Sequence, residues 1–170
     1  MRWHSRFIHW LWLGAAALVL KTSLLPYFFP SGYVPDLVLA LVAILAFYEN
    51  WPRGLAMGLV LGLLQDLWAG RLIGLNAFTF ALVGGGVAYL QAKLVHDRLF
   101  VPGLLAGLAA GFAGLLDGVL LHLSPLGLSW DTALAPLPYR ILTTMLLAPA
   151  FGQILGLKPE VRVDYRRSHL

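Results

Sequence analysis

The chain has 170 residues, of which 59% are hydrophobic and only 12% charged, with a net charge of +4 and a mean hydropathy of +0.78. Soluble domains carry about 25% charge, so too little polar sequence is left here for a separate soluble domain. With no cysteine, a disulfide framework, a thiol nucleophile and a Cys-based metal site are all excluded.

At ~20 residues per crossing, the chain has room for about six membrane spans. The first is expected over residues 7–25, after basic Arg2 and Arg6, interrupted only by Lys21. A signal peptide would begin similarly, but no convincing small-x-small cleavage site and no polar domain follow, so this segment reads as a retained span. The Pro- and aromatic-rich loop at 26–35 suits the lipid interface. Span two, 36–48, begins just after Pro35, and span three, 53–68, follows Trp51-Pro52-Arg53. Both are short for full crossings, so thin spans and a re-entrant hairpin remain open. Span four, 75–92, contains Gly84-Gly85-Gly86, which demands a kink or a very close neighbour. Span five, 99–123, carries Gly103, Gly107, Gly111, Gly114, Gly118 and the acid Asp117. Span six, 136–157, has Arg140 near its start and Pro149 where a kink is expected.

These elements define an all-α, polytopic membrane protein. Residues 1–158 form the six-helix transmembrane domain, and residues 159–170 a polar, basic tail. Charge placement orients it. With the N-terminus in the cytoplasm, the inner segments hold Arg2, Arg6, Arg53, Lys93, Arg98, Lys158, Arg162, Arg166 and Arg167, while the outer loops hold Arg71 alone. That asymmetry predicts cytoplasmic N- and C-termini. Trp3 and Trp51 then mark the inner interface, Trp68 and Trp130 the outer one.

Gly54, Gly58, Gly62, Asp66, Gly70 and Gly74 recur at intervals of four. Each such step turns ~40° past a full helical revolution, so Gly54 to Asp66 form a slowly winding groove that admits a second helix closely. Gly103, Gly107 and Gly111, followed by Asp117, echo the pattern and hint at an internal duplication. One glycine row is expected to pack within the fold and the other to grip a partner helix.

Lys21, Asp66, Asp117 and Arg140 all fall in the outer part of the bilayer. Unpaired at its centre, each would cost ~2.5–3.5 kcal/mol, so pairing or hydration must win. Two readings follow: an outward-facing polar pocket, with Gln65, Asn76 and Thr143 contributing, or a structural ion-pair lock.

Catalytic signatures do not emerge. The five histidines form no H-E-x-x-H or i, i+4 pair, and no G-x-S-x-G, P-loop or dinucleotide fingerprint is present. No cofactor or metal site and no catalytic residue is predicted. The basic tail, mixed with acids, suits anionic lipid headgroups rather than nucleic acid.

Pro35-Asp36-Leu37, the run Gly58-x3-Gly62-x3-Asp66-x3-Gly70-x3-Gly74-Leu-Asn76, and Asp117 in the fifth span together resemble the MreD family of bacterial rod shape-determining membrane proteins. The resemblance covers nearly the whole chain, although the tail and Gly84 to Gly86 have no match in it. It implies a non-enzymatic component of the inner (cytoplasmic) membrane, working in cell elongation and peptidoglycan synthesis. Its partners would be the single-span MreC, with MreB, RodA and the transpeptidase that accompanies RodA. The family is also distantly similar to the S components of energy-coupling-factor transporters, which implies an S-component-like bundle. A substrate-binding transporter subunit and a lipid-binding or lipid-translocating protein are the alternative functions.

Overall fold

The computed structural model describes residues 2–29, 33–70, 74–93, 100–123, 130 and 134–157. The tail at 159–170, Arg71 and Arg98 lie outside the described residues. Among those described, the fold is entirely helical. Its elements are α1 (Arg2–Ser23), α2 (Leu25–Phe28), α3 (Leu37–Tyr48), α4 (Trp51–Ala69), α5 (Leu75–Gln91), α6 (Phe100–Leu123) and α7 (Leu137–Ile154). A helix thus occupies each of the six apolar segments anticipated from sequence.

The centre is α3. Every residue from Leu37 to Phe47 is buried, as expected of a helix that is apolar on all sides. Its twelve residues rise only about 18 Å, against ~30 Å of hydrocarbon. It is therefore an internal pillar, sheathed by α1, α4, α5, α6 and α7. Carboxylates stand at both of its ends. Asp36 caps the first turn, accepting from the Leu39 amide at 3.2 Å, where the helix dipole favours a negative charge. Glu49, at the C-terminal end, opposes the dipole but is paired to Arg53 at 3.1 Å.

Besides a few large apolar residues that meet α3, such as Met57, Leu61, Phe80 and Leu105, the remaining helices bury small or polar residues and turn rows of large apolar ones outward. On α6 the exposed row is Phe100, Leu104, Leu108, Phe112, Leu115, Val119 and Leu123, and Leu59, Leu63 and Leu67 do the same on α4. Meanwhile Gln65, Asp66, Thr79, Asp117 and Thr144 are buried. This inversion of the soluble pattern is what a hydrocarbon solvent selects. By length and composition, Phe7–Phe28 and Phe100–Leu120 can each cross a membrane, whereas Leu37–Tyr48 and Leu75–Gln91 are shorter apolar helices.

Pro149 lies inside α7 without ending it. The Gly84 to Gly86 run, likewise, is continuous α5.

Candidate functional site

Two polar assemblies are built into the helix ends, each at the head of a glycine row. The first row lies on α4. A Cβ on Gly54 would stand 2.6 Å from the Gly84 carbonyl oxygen, and one on Gly58 or Gly62 would collide with the backbone of Phe80 or Asn76. The α5 residues met, at 76, 80 and 84, are themselves four apart and run antiparallel to the α4 row. The two backbones touch because neither side has atoms to keep them apart.

The last two glycines of that periodic run do a different job. Gly70 ends α4 with φ 61° and Gly74 precedes α5 with φ 102°, both left-handed, and a Cβ at either would meet nothing within 4 Å. They shape the turn rather than pack. The turn folds the first amides of α5 back onto Asp66. Its carboxylate accepts from the amides of Gly74 (2.9 Å), Asn76 (3.1 Å) and Ala77 (3.0 Å), and from Asn76 Nδ2 (2.8 Å). Gln65 Nε2 donates to Asn76 Oδ1 at 3.3 Å. Asp66 therefore serves as a remote N-cap, meeting the orphan donors of a helix it does not belong to.

The second row lies on α6 and faces α7. A Cβ on Gly103 would reach the Met145 carbonyl oxygen at 2.9 Å. Gly107 faces the Met145 side chain, Gly111 faces Ile141 and Gly114 faces Leu137. At the head of this row, Asp117 Oδ2 accepts from Arg140 NH1 at 3.3 Å, and its Oδ1 from Thr79 Oγ1 at 3.2 Å. Arg140 NH2 also reaches Asp36 Oδ2 at 3.4 Å. Lys21 Nζ closes the chain on Asp36 Oδ1 at 2.8 Å. Lys21, Asp36, Arg140, Asp117 and Thr79 so join α1, the cap of α3, α7, α6 and α5. Two cations face two carboxylates, and the charges cancel.

The sequence-predicted residues thus divide. Lys21, Asp117 and Arg140 come together, while Asp66, Asn76 and Gln65 form a separate assembly at the α4–α5 turn. Thr143 joins neither: its hydroxyl donates back to the Tyr139 carbonyl at 2.8 Å, the usual recourse of a helical Thr. A single pocket lined by all of them is not what the fold builds. The expected division of labour between glycine rows also needs correction, because both rows pack inside the fold and neither is left for a partner. Gly70 and Gly74 leave the packing row altogether.

Two members of the network, Asp36 and Thr79, lie outside the site residues expected from sequence. Asp36 was available, since an Asp placed before an apolar run is an N-cap signal and a charge at an outer helix end. Thr79 gave no signal beyond being a hydroxyl in an apolar helix.

Comparison with known proteins is narrow but clear. The family model described as rod shape-determining protein MreD matches residues 1–152. No curated protein and no solved structure matches, so the distant similarity to transporter S components finds no support.

Proposed function

The chain belongs to the MreD family, which gives it a role in rod-shape determination, and from that membership we propose that it is a non-enzymatic, multi-pass scaffold of the bacterial cytoplasmic membrane. Its work in this reading is to hold a single-span, MreC-like protein by helix packing, beside the MreB filament and the RodA synthase with its transpeptidase.

One observation carries the reading: the buried charged groups bind partners inside the bundle, and the outward helix faces are apolar. Lys21, Asp36, Arg140 and Asp117 are joined in ion pairs, and Asp66 is occupied by amides. What the bundle offers outward is rows such as Leu104, Leu108 and Phe112 on α6, or Ile8 and Trp12 on α1. With both glycine rows used internally, the partner's helix meets these ridges rather than a glycine groove. Without a hydrophobic driving force in lipid, such a contact rests on shape fit and dispersion.

The test is co-purification of the full chain from native membranes, with protein and lipid companions both identified. A stoichiometric single-span protein is the expected result. Recovery of the chain with lipid alone, or with a small-molecule substrate and a transporter subunit, would overturn the proposal.

A further inference from the structure

The three successive glycines of α5 differ in what they face. Gly84 meets the Gly54 backbone of α4, and Gly85 receives Trp51, whose Nε1 would stand 3.3 Å from a Cβ there. Gly86 does neither, since a Cβ on it would meet nothing within 4 Å. Packing inside the fold accounts for the first two and leaves the third without a use.

Gly86 lies on a stripe with Phe78, Leu82, Tyr89 and Lys93, all four of them exposed. Spacings of four, four, three and four keep the five positions within about 80° of arc around α5 and its last turn. At 1.5 Å per residue the stripe is ~22 Å long, about one leaflet of a bilayer ~40–45 Å thick with its headgroups. It begins with the apolar side chains of Phe78 and Leu82, dips at Gly86, and ends in a phenol and an ammonium. Acyl chain, glycerol and phosphate follow the same order in a lipid.

The polar end is made of donors. Lys93 Nζ donates to Tyr89 Oη at 2.7 Å and lies 4.4 Å from the centre of that ring, so the phenol keeps its own hydrogen to give. Trp51, set over Gly85 one turn away, adds an indole N–H. Among the described residues, no carboxylate pairs with Lys93, and neither the Tyr89 hydroxyl hydrogen nor the Trp51 N–H has an acceptor. Arg53, a second cation at this end of the α4–α5 hairpin, is engaged by Glu49. Three donors, one of them carrying a full positive charge, complement an anionic phosphate.

We propose that this stripe of α5 holds one anionic phospholipid, its phosphate between Lys93, Tyr89 and Trp51 and an acyl chain passing over Gly86 along Leu82 and Phe78. The site rests on the reading of the chain as a membrane protein. Lys93 and the two aromatic residues select and hold the headgroup, and the missing side chain at 86 lets the lipid lie against the helix backbone.

The test uses the full chain in nanodiscs of equal parts phosphatidylglycerol and phosphatidylcholine. A photoreactive residue is placed at Leu82, or at Leu104 on the outward row of α6 as the reference, and the adducts are identified by mass. Phosphatidylglycerol should be enriched about fivefold at Leu82 relative to Leu104, the worth of one Lys against an anionic headgroup. Lys93→Gln, and Gly86→Leu, which fills the dip, should each return Leu82 to the composition found at Leu104. Lys93→Gln decides if Gly86→Leu fails to fold. Equal composition at the two positions in the unaltered chain, an enrichment that survives Lys93→Gln, or a cross-link from Leu82 to a second copy of the chain overturns the site alone. No lipid adduct at either position would overturn the membrane reading and the site with it.

Discussion

Asn76 binds Asp66 Oδ1 twice, through its backbone amide at 3.1 Å and its side-chain amide at 2.8 Å, although the two residues belong to different helices. This pair of hydrogen bonds ties α5 to the end of α4 and fixes where α5 begins. Hydrogen bonds to a charged acceptor contribute ~1.5–3 kcal/mol each, and donors stranded in an apolar setting cost as much again. Asp66→Ala should therefore destabilise the protein by ~3 kcal/mol or more. Asp66→Asn, which keeps one acceptor oxygen, should lose less. Unfolding in mixed micelles with increasing denaturing detergent would rank the two.

Glycines that look alike in sequence should respond oppositely. A Cβ on Gly58 would fall on the Phe80 backbone, whereas one on Gly86 has nothing within 4 Å. Gly58→Ala should force α4 and α5 apart and cost ~1–3 kcal/mol, the range for overpacking, with the larger Gly58→Leu preventing assembly. Gly86→Ala should be neutral or stabilising by up to ~1 kcal/mol, through helix propensity. The same detergent titration reads both.

Arg140 bridges two carboxylates, so its loss should be severe and conditional. Arg140→Met leaves Asp117 buried with only Thr79 as partner, and breaking a buried pair in this way costs ~3–5 kcal/mol. Arg140→Lys should rescue only partly, since an ammonium lacks the planar fork that reaches Asp36 and Asp117 together. Removing the pair in Arg140→Met/Asp117→Leu leaves Lys21 and Asp36 neutral between them. The double variant should be more stable than Arg140→Met alone, and a double-mutant cycle measures that coupling.

The six-crossing reading makes a labelling prediction. Single cysteines placed at Ala69, ending α4, and at Lys93, just after α5, should lie on opposite sides of the membrane. A membrane-impermeant maleimide applied to intact cells with permeable outer layers should label the first and spare the second. Labelling of both, or of neither, would contradict the topology.

Helix positions were legible because composition dominates them: apolar runs broken by Pro, Gly and charge gave segments within a few residues of those observed. That the α4 glycines admit a close helix was legible for the same reason, though not which helix, as glycines four apart have little other use in a membrane helix. Roles at the helix ends were not. Gly70 and Gly74 continue the spacing of Gly54 to Gly62, yet periodicity does not reveal that their backbones turn left-handed. Once the chain turns there, the amides at 74–77 come back to Asp66 and remove it from the charged cluster. In the sequence Asp36 marks the opening of a span, and nothing there shows that it is also the acid between Lys21 and Arg140. Depth along a helix can be estimated from sequence; which neighbour lies across the gap depends on rotation and crossing angle, and those come from packing.

The central claim is that the buried charges are paired inside the bundle and that the outward apolar ridges meet the partner. Site-specific photo-crosslinking in growing cells tests it most directly, with the photoreactive residue moved through Ile8, Trp12, Leu59, Phe78, Leu104, Leu108, Leu142 and Leu146. The account predicts adducts to one single-span membrane protein, confined to neighbouring positions on one face, with lipid adducts elsewhere. Lipid adducts at every position, with no protein captured at any, would contradict it.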